Sequence, residues 1–319
     1  MALNVTYSIG KGGVGKTTCA AALALHCSRT TGTLVVSLDP AHNLGDVLDR
    51  RLGDSPIEVS ENLSASEIDM DAAVDRYLKH SADNLKKMYG YVKTINLEGY
   101  LDALRLSPGI EEYATLEAME TVIRSAEGRF GMLVFDTPPT GLTLRVLALP
   151  RVSVLWGERI GRLRKEILDR RKMISSIQGQ RRFILEGKEH ELPDEENKDP
   201  VMKELNGYLQ RMRFLDQLQS DERRSRIMPV MNPDTLSVFE TRRAFDRLHE
   251  LGMSIGPIIV NKVGVRNTDE SAVSEIRKTF GMPVQTLPFL GDEPVGLTAL
   301  AGVETRLDFD SWVPSPSSS

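Results

Sequence analysis

The chain has 319 residues, with 40 Lys plus Arg against 45 Asp plus Glu and a formal net charge of −5. This length accommodates one large α/β domain or two smaller ones, and the acidic balance excludes a surface coated throughout with basic side chains for nucleic acid. With only two cysteines, Cys19 and Cys27, a disulfide scaffold or a four-cysteine zinc or iron–sulfur site within the chain is excluded as well.

Residues Met1–Asn4 run into a strand pattern without a basic-then-apolar leader, and no run of about 18 apolar residues follows anywhere. The expectation is a cytoplasmic protein. β-rich runs at Val5–Ile9, Leu34–Leu38, Met132–Phe135, Arg226–Met231, Pro257–Val260 and Val284–Leu287 alternate with longer helical patterns. That alternation predicts βαβ units: an α/β fold with a mostly parallel, doubly wound sheet flanked by helices. Ligands of such sheets sit at the carboxyl ends of the strands.

Two stretches read as helical insertions without sheet, at about 55–127 and 157–225. Leu78, Leu85, Met88, Tyr89 and Val92 lie at near-helical spacing in the first. In the second, Ile160, Leu163, Ile167, Ile174 and Ile177 share one helix face, and Met202, Leu205, Leu209, Met212, Leu215 and Leu218 share another. Met88, Met173, Met202 and Met212 are compatible with an adaptable apolar groove. Residues 159–182 also carry nine basic side chains: Arg159, Arg162, Arg164, Lys165, Arg170, Arg171, Lys172, Arg181 and Arg182. Between the two helices, the acidic segment Glu186–Asp199, with Pro193, reads as a mobile loop. The Pro/Ser-rich residues 313–319 read as a disordered tail.

The strongest motif is Gly10-Lys11-Gly12-Gly13-Val14-Gly15-Lys16-Thr17, preceded by a strand pattern and followed by the alanine-rich helical pattern Thr18–Leu25. It matches G-x-x-x-x-G-K-[ST] in the setting that motif requires. Its glycines let backbone N–H groups turn toward phosphate oxygens at a helix N-terminus. Lys16 is assigned to the β- and γ-phosphates, Thr17 to Mg²⁺, and Thr18 is counted with the cradle. Lys11 is an extra lysine that reads either as a solvated side chain or as a functional one. Asp39 and Asp136 each close an apolar strand pattern, where a carboxylate near Mg²⁺ sits, often through water; Asp39 could instead orient the attacking water, and either could be a helix cap. Cys19 and Cys27 fall about 12 Å apart along one helix, too far for a disulfide, and read as buried.

These motifs resemble the ArsA/Get3 family of signature-lysine P-loop ATPases. GKGGVGKT resembles its deviant Walker A motif, Ser37–Leu44 its switch I and Asp136–Arg145 its switch II. Pro108–Glu112 resembles its Pro-Gly-acidic segment, and Pro233-Asp234 with Phe239-Glu240 a segment near its dimer interface. Asn261-Lys262-Val263 and Pro288-Phe289-Leu290 resemble its adenine-binding loops. The resemblance implies a homodimeric Mg-ATPase over residues 1–312, with Lys11 reaching the phosphates of the opposite subunit, Asp39 polarising the attacking water and Asp136 in the Mg²⁺ shell. It also implies that Asn261 hydrogen-bonds adenine beside Pro288 and Phe289. Its client would be a hydrophobic or tail-anchored membrane segment, with a membrane receptor as a further partner and transient visits to the membrane. The alternative is the ATPase subunit of an arsenite, antimonite or other anion efflux pump.

Three departures stand against the family pattern. Leu142 replaces a switch II histidine. No Cys-x-x-Cys lies near residue 228, so no zinc is expected between subunits. Cys19 and Cys27 do not match the cysteines with which arsenite pump ATPases bind metalloid. Gly264 stands where a guanine-reading Asp would follow Asn261-Lys262, which favours ATP over GTP. No nucleic-acid partner is expected, because no aromatic residues are interleaved with the basic stretch.

Overall fold

The computed structural model describes residues 2–41, 43–88, 104–105, 107–179, 182–185, 188–191, 193–266 and 269–314. Its chain divides into two compact units, Met1–Ala73 with Thr115–Leu147 and Leu218–Ser319, and Val74–Ala114 with Ala148–Gln217. The expected residues His42, Tyr89, Val92, Arg181, Glu186 and 315–319 lie outside the described residues.

In the first unit, strand β1 (Asn4–Ile9) is buried along almost its whole length, as its apolar run requires. The P-loop connects it to helix α1 (Lys16–Ser28), and β2 (Thr33–Ser37) follows. After α2 (Asn43–Leu48) come β3 (Ile57–Ser60) and β4 (Leu63–Glu67); helix α3 (Met70–Met88), which belongs to the second unit from Val74 on, and α4 (Ile110–Ala126), which belongs to the first from Thr115 on, precede β5 (Met132–Asp136). Later elements of this unit are β8 (Ser225–Met231), α7 (Thr235–Glu250), β9 (Ile258–Val263), α8 (Asp269–Phe280), β10 (Val284–Pro288) and α9 (Gly296–Glu304).

Eight described strands form one sheet in the order β10-β9-β8-β1-β5-β2-β4-β3. All pairings are parallel except β3 with β4. The six strand runs expected from the sequence are all present. β3 and β4 correct the expectation that residues 55–127 lack sheet. Their sequences, IEVS and LSASE, alternate too briefly and with too little apolar bulk to announce strands. Ser66 and Glu67 are nonetheless buried, and Glu67 accepts the Gly45 N–H at 2.9 Å.

Helix α1 is enclosed all round, with every residue from Cys19 to Ala24 at zero exposure. Alanines let the helix axis approach the strands more closely than larger side chains would permit. Cys19 and Cys27 are free and buried, and burial pushes both thiols up to about 12, so they stay protonated at neutral pH. At the amino ends of the strands, the turn Phe309–Trp312 closes the core. Trp312 is fully buried and donates from Nε1 to Pro257 O at 2.8 Å, while its carbonyl accepts Thr6 Oγ1 at 2.9 Å. His26, in the last turn of α1, lies between Glu304 and Asp310 at 3.3 and 2.9 Å.

The second unit contains most of α5 (Thr140–Gln178), the antiparallel hairpin β6 (Arg182–Leu185) with β7 (Lys188–Glu191), and most of α6 (Pro200–Ser220). The hairpin and the 3₁₀ turn Glu196–Lys198 correct the reading of Glu186–Asp199 as a mobile loop. This segment is tied to α5 by charge. Arg164 donates to both oxygens of Asp199, at 3.2 and 2.7 Å, and Lys165 pairs with Glu196 at 3.0 Å. Asp199 is 1% exposed and also caps α6, accepting the Met202 N–H at 2.8 Å. Met202 and Met212 are buried, so they line no surface groove; the side chain of Met88 lies outside the described residues.

The face of α5 carrying Val152, Leu155, Trp156, Ile160, Leu163, Ile167, Met173, Ile174 and Ile177 is exposed, reaching 83% at Ile177. Most of these residues repeat at steps of three, four and seven, so they form one stripe. Arg162, Arg170 and Lys172 are exposed near it, and Arg159 lies over the Trp156 ring at 6.0 Å.

Arg164→Met leaves the Asp199 carboxylate buried without its cation. It is expected to destabilise the protein by about 3 kcal/mol, measured by urea unfolding.

Candidate active site

The site assembles where four parallel strands end. The P-loop leaves β1, Asp39 stands two residues past β2, Asp136 is the last residue of β5, and Asn261 and Lys262 are among the last three residues of β9. Pro288 closes β10, and the Phe289 N–H donates to Val263 O at 2.8 Å, which joins that loop to β9. Phe289 is half exposed.

Two glycines of the P-loop have no room for a side chain. A Cβ at Gly10 would collide with the Val230 carbonyl of β8, and one at Gly15 would collide with the Asn261 amide. Gly15 also takes φ 92°, which an L residue rarely adopts. Lys16 is 5% exposed, and its ammonium touches the Lys11 carbonyl at 3.5 Å. Among the described residues it forms no salt bridge. A buried cation without a carboxylate partner is a place for an anion.

Asp136 is wholly buried and supplies the opposite charge. Its Oδ2 accepts Thr17 Oγ1 at 2.8 Å and Ser37 Oγ at 3.3 Å. Its Oδ1 is buried without a hydrogen-bond partner among the described residues. Burial pushes this carboxyl up to about 6, against the pull of the Thr17 hydroxyl and the Lys16 charge; Asp39 adds to the upward push. An orphaned carboxylate oxygen beside the threonine hydroxyl fits a magnesium shell, and the buried lysine at the end of the glycine loop fits phosphates. Asp39 is half-buried. Its backbone N–H donates to Ser37 Oγ at 3.3 Å, and its Oδ1 accepts the Ala41 N–H at 3.1 Å, which fixes the loop after β2.

The structure brings Lys11, Lys16, Thr17, Asp136, Asn261 and Lys262 together around the loop; Gly12, Gly13, Val14 and Thr18 complete it. Asn261 is more engaged than expected: its Nδ2 donates to Val14 O at 2.8 Å and its Oδ1 accepts the Lys262 N–H at 2.7 Å. Ser37 was missed as a site residue in its own right. Its signal is a hydroxyl at the end of a fully buried strand whose centre, Leu34-Val35-Val36, is apolar. Asp234 caps α7, accepting the Ser237 N–H at 2.9 Å.

A strand–glycine loop–helix unit with a buried lysine and a strand-end carboxylate on a parallel sheet defines a P-loop nucleoside-triphosphate hydrolase. The chain belongs to the anion-transporting ATPase family, ArsA, whose profile matches residues 4–308. It is 31% identical over 315 residues to "Putative arsenical pump-driving ATPase 1" of Aquifex aeolicus, covering 91% of this chain and 75% of that protein. With "Putative arsenical pump-driving ATPase 2" of the same organism it shares 28% identity, over 98% and 99% of the two chains. It is 30% identical to "ATPase GET3C" of Arabidopsis thaliana, over 84% and 69%. The protein is therefore an ATP hydrolase of this family, whose chemistry uses a nucleotide and Mg²⁺. Among the described residues, no helix is long and apolar enough to cross a membrane.

Asp136 gives a pH prediction. Between about 4 and 6 the folded protein holds a proton that the unfolded chain releases, so this group's contribution to stability is full below about 4 and is lost as the pH rises through 6. Asp136→Asn should raise ligand-free stability at pH 7 by up to about 3 kcal/mol and flatten the stability profile between those pH values. The same variant should bind MgATP more weakly. Thermal unfolding across pH 4–8, with and without MgATP, checks both.

Proposed function

We propose that this chain is a homodimeric Mg-ATPase that binds and releases hydrophobic membrane-protein segments, tail-anchored ones in particular. The observation that carries this reading is the exposed apolar stripe of α5. From Val152 to Ile177 it extends about 38 Å at 1.5 Å per residue, and a membrane-spanning helix covers about 30 Å of hydrocarbon. A contiguous apolar surface of that length marks a binding site. Leu236 and Phe239, 59% and 56% exposed at the start of α7, support a second copy of the chain as partner. A cytoplasmic protein that visits the membrane through a receptor fits this role.

In this reading Lys16 and the loop amides bind the β- and γ-phosphates. Thr17 and Asp136 hold Mg²⁺, with Asp39 a further candidate for its outer shell; the metal supplies charge neutralisation across the phosphates. Asp39 orients the attacking water, Lys11 reaches the phosphates of the opposite subunit, and Asn261, Pro288 and Phe289 receive the adenine. Asp39→Asn should retain ATP binding while slowing hydrolysis at least a hundredfold, by analogy with other catalytic acid–base groups. Lys11→Ala should lose turnover and ATP-dependent dimerisation together. Single-turnover assays and sedimentation measure these; a Lys11→Ala monomer with normal turnover contradicts the cross-subunit role.

The client assignment is tested with a transmembrane peptide. The ATP-locked Asp39→Asn protein should capture it, and Ile160→Asp with Leu163→Asp should abolish capture without lowering basal ATPase activity. Relatives named for arsenical pumps supply the second reading, an ATPase subunit energising anion efflux. It predicts stimulation by arsenite with no effect of the stripe substitutions.

A further inference from the structure

Phosphate binding requires the amide N–H groups of the P-loop to converge, so carbonyls in the same loop turn outward and need partners of their own. Two consecutive ones find partners on β9. Asn261 Nδ2 donates to Val14 O at 2.8 Å, and Lys262 Nζ donates to Gly13 O at 2.9 Å. The two donors are joined to each other, since the Lys262 N–H donates to Asn261 Oδ1 at 2.7 Å. Lys262 holds φ 58°, a left-handed backbone that a long side chain occupies at a cost and only where its surroundings fix it. Gly15, lacking a Cβ, leaves the space in which the Asn261 amide sits.

We infer that Lys262 is a positioning residue for the phosphates, acting through the P-loop rather than through the base. Its ammonium is committed to the Gly13 carbonyl, which fixes the orientation of the peptide joining Gly13 to Val14 and hence the direction of the Val14 N–H. Asn261 fixes the next peptide in the same way. The strained backbone of Lys262 is the part of this brace that aims its side chain at the loop. The inference rests on the P-loop being the phosphate site.

Inorganic tripolyphosphate separates the possibilities, because it presents phosphates and no base or ribose. In the full chain, Lys262→Met should weaken MgATP binding and competitive inhibition by tripolyphosphate by the same factor, about tenfold for one hydrogen bond. Lys262→Arg should recover part of both, since a guanidinium can donate to the same carbonyl. Lys262→Gly relieves the left-handed strain, so its thermal midpoint without ligand should be unchanged or higher while tripolyphosphate inhibition still weakens. Two results overturn the inference. One is weakened ATP binding with unchanged tripolyphosphate inhibition in Lys262→Met, which makes Lys262 a base or ribose contact. The other is loss of affinity only in proportion to loss of thermal midpoint in all three variants, which makes it a fold residue. If Lys16→Ala leaves tripolyphosphate inhibition intact, the P-loop reading itself fails and takes this inference with it.

Discussion

The close seating of α1 against the sheet is the constraint on which the site depends. Because Cys19, Ala20, Ala21, Ala22 and Ala24 carry little bulk, the helix lies close to the strands, and its first residues, Lys16 and Thr17, stand beside Asp136. A larger side chain in place of one of these alanines would push the helix away and separate the threonine hydroxyl from the carboxylate, now at 2.8 Å. Gly10 under the Val230 carbonyl and Gly15 under the Asn261 amide extend the same close packing into the loop.

This arrangement opposes stability where it serves chemistry. Among the described residues, buried Lys16 makes one weak hydrogen bond, and buried Asp136 has one oxygen without a partner. Neither would survive in an ordinary core, where buried charges are paired. Burial of Trp312, Phe309 and the aliphatic strands of the first unit supplies the compensation. Away from the site, buried carboxylates are paired directly, Glu304 with Arg29 and Asp199 with Arg164.

Most of the sheet was legible because its strands are short apolar runs between turn residues, and the P-loop because strand, glycines and helix coincide. β3 and β4 were not, since Ser64, Ser66 and Glu67 give a strand that looks polar. The hairpin after α5 was hidden by the charges of Lys188–Glu191, whose pairing is set by backbone hydrogen bonds. In the site, the residue types at Lys16, Thr17, Asp39 and Asp136 announced themselves by position. Ser37, and the carbonyl-directed roles of Asn261 and Lys262, depend on strand ends distant in sequence that the sheet order brings together, which no local spacing encodes.

The closure of the core by Trp312 bears on how the chain acquires its fold. β1, near the start of the sequence, pairs with β5 more than a hundred residues later and with β8 more than two hundred later. Its Thr6 hydroxyl then waits for a carbonyl 306 positions away. Contacts so distant in sequence make folding slow. During synthesis the strand that carries the P-loop is unpaired until β5 is made, and its other edge stays open to other chains until β8 is made. A protein proposed to shield the hydrophobic segments of others would thus have such a segment of its own exposed while it is being made.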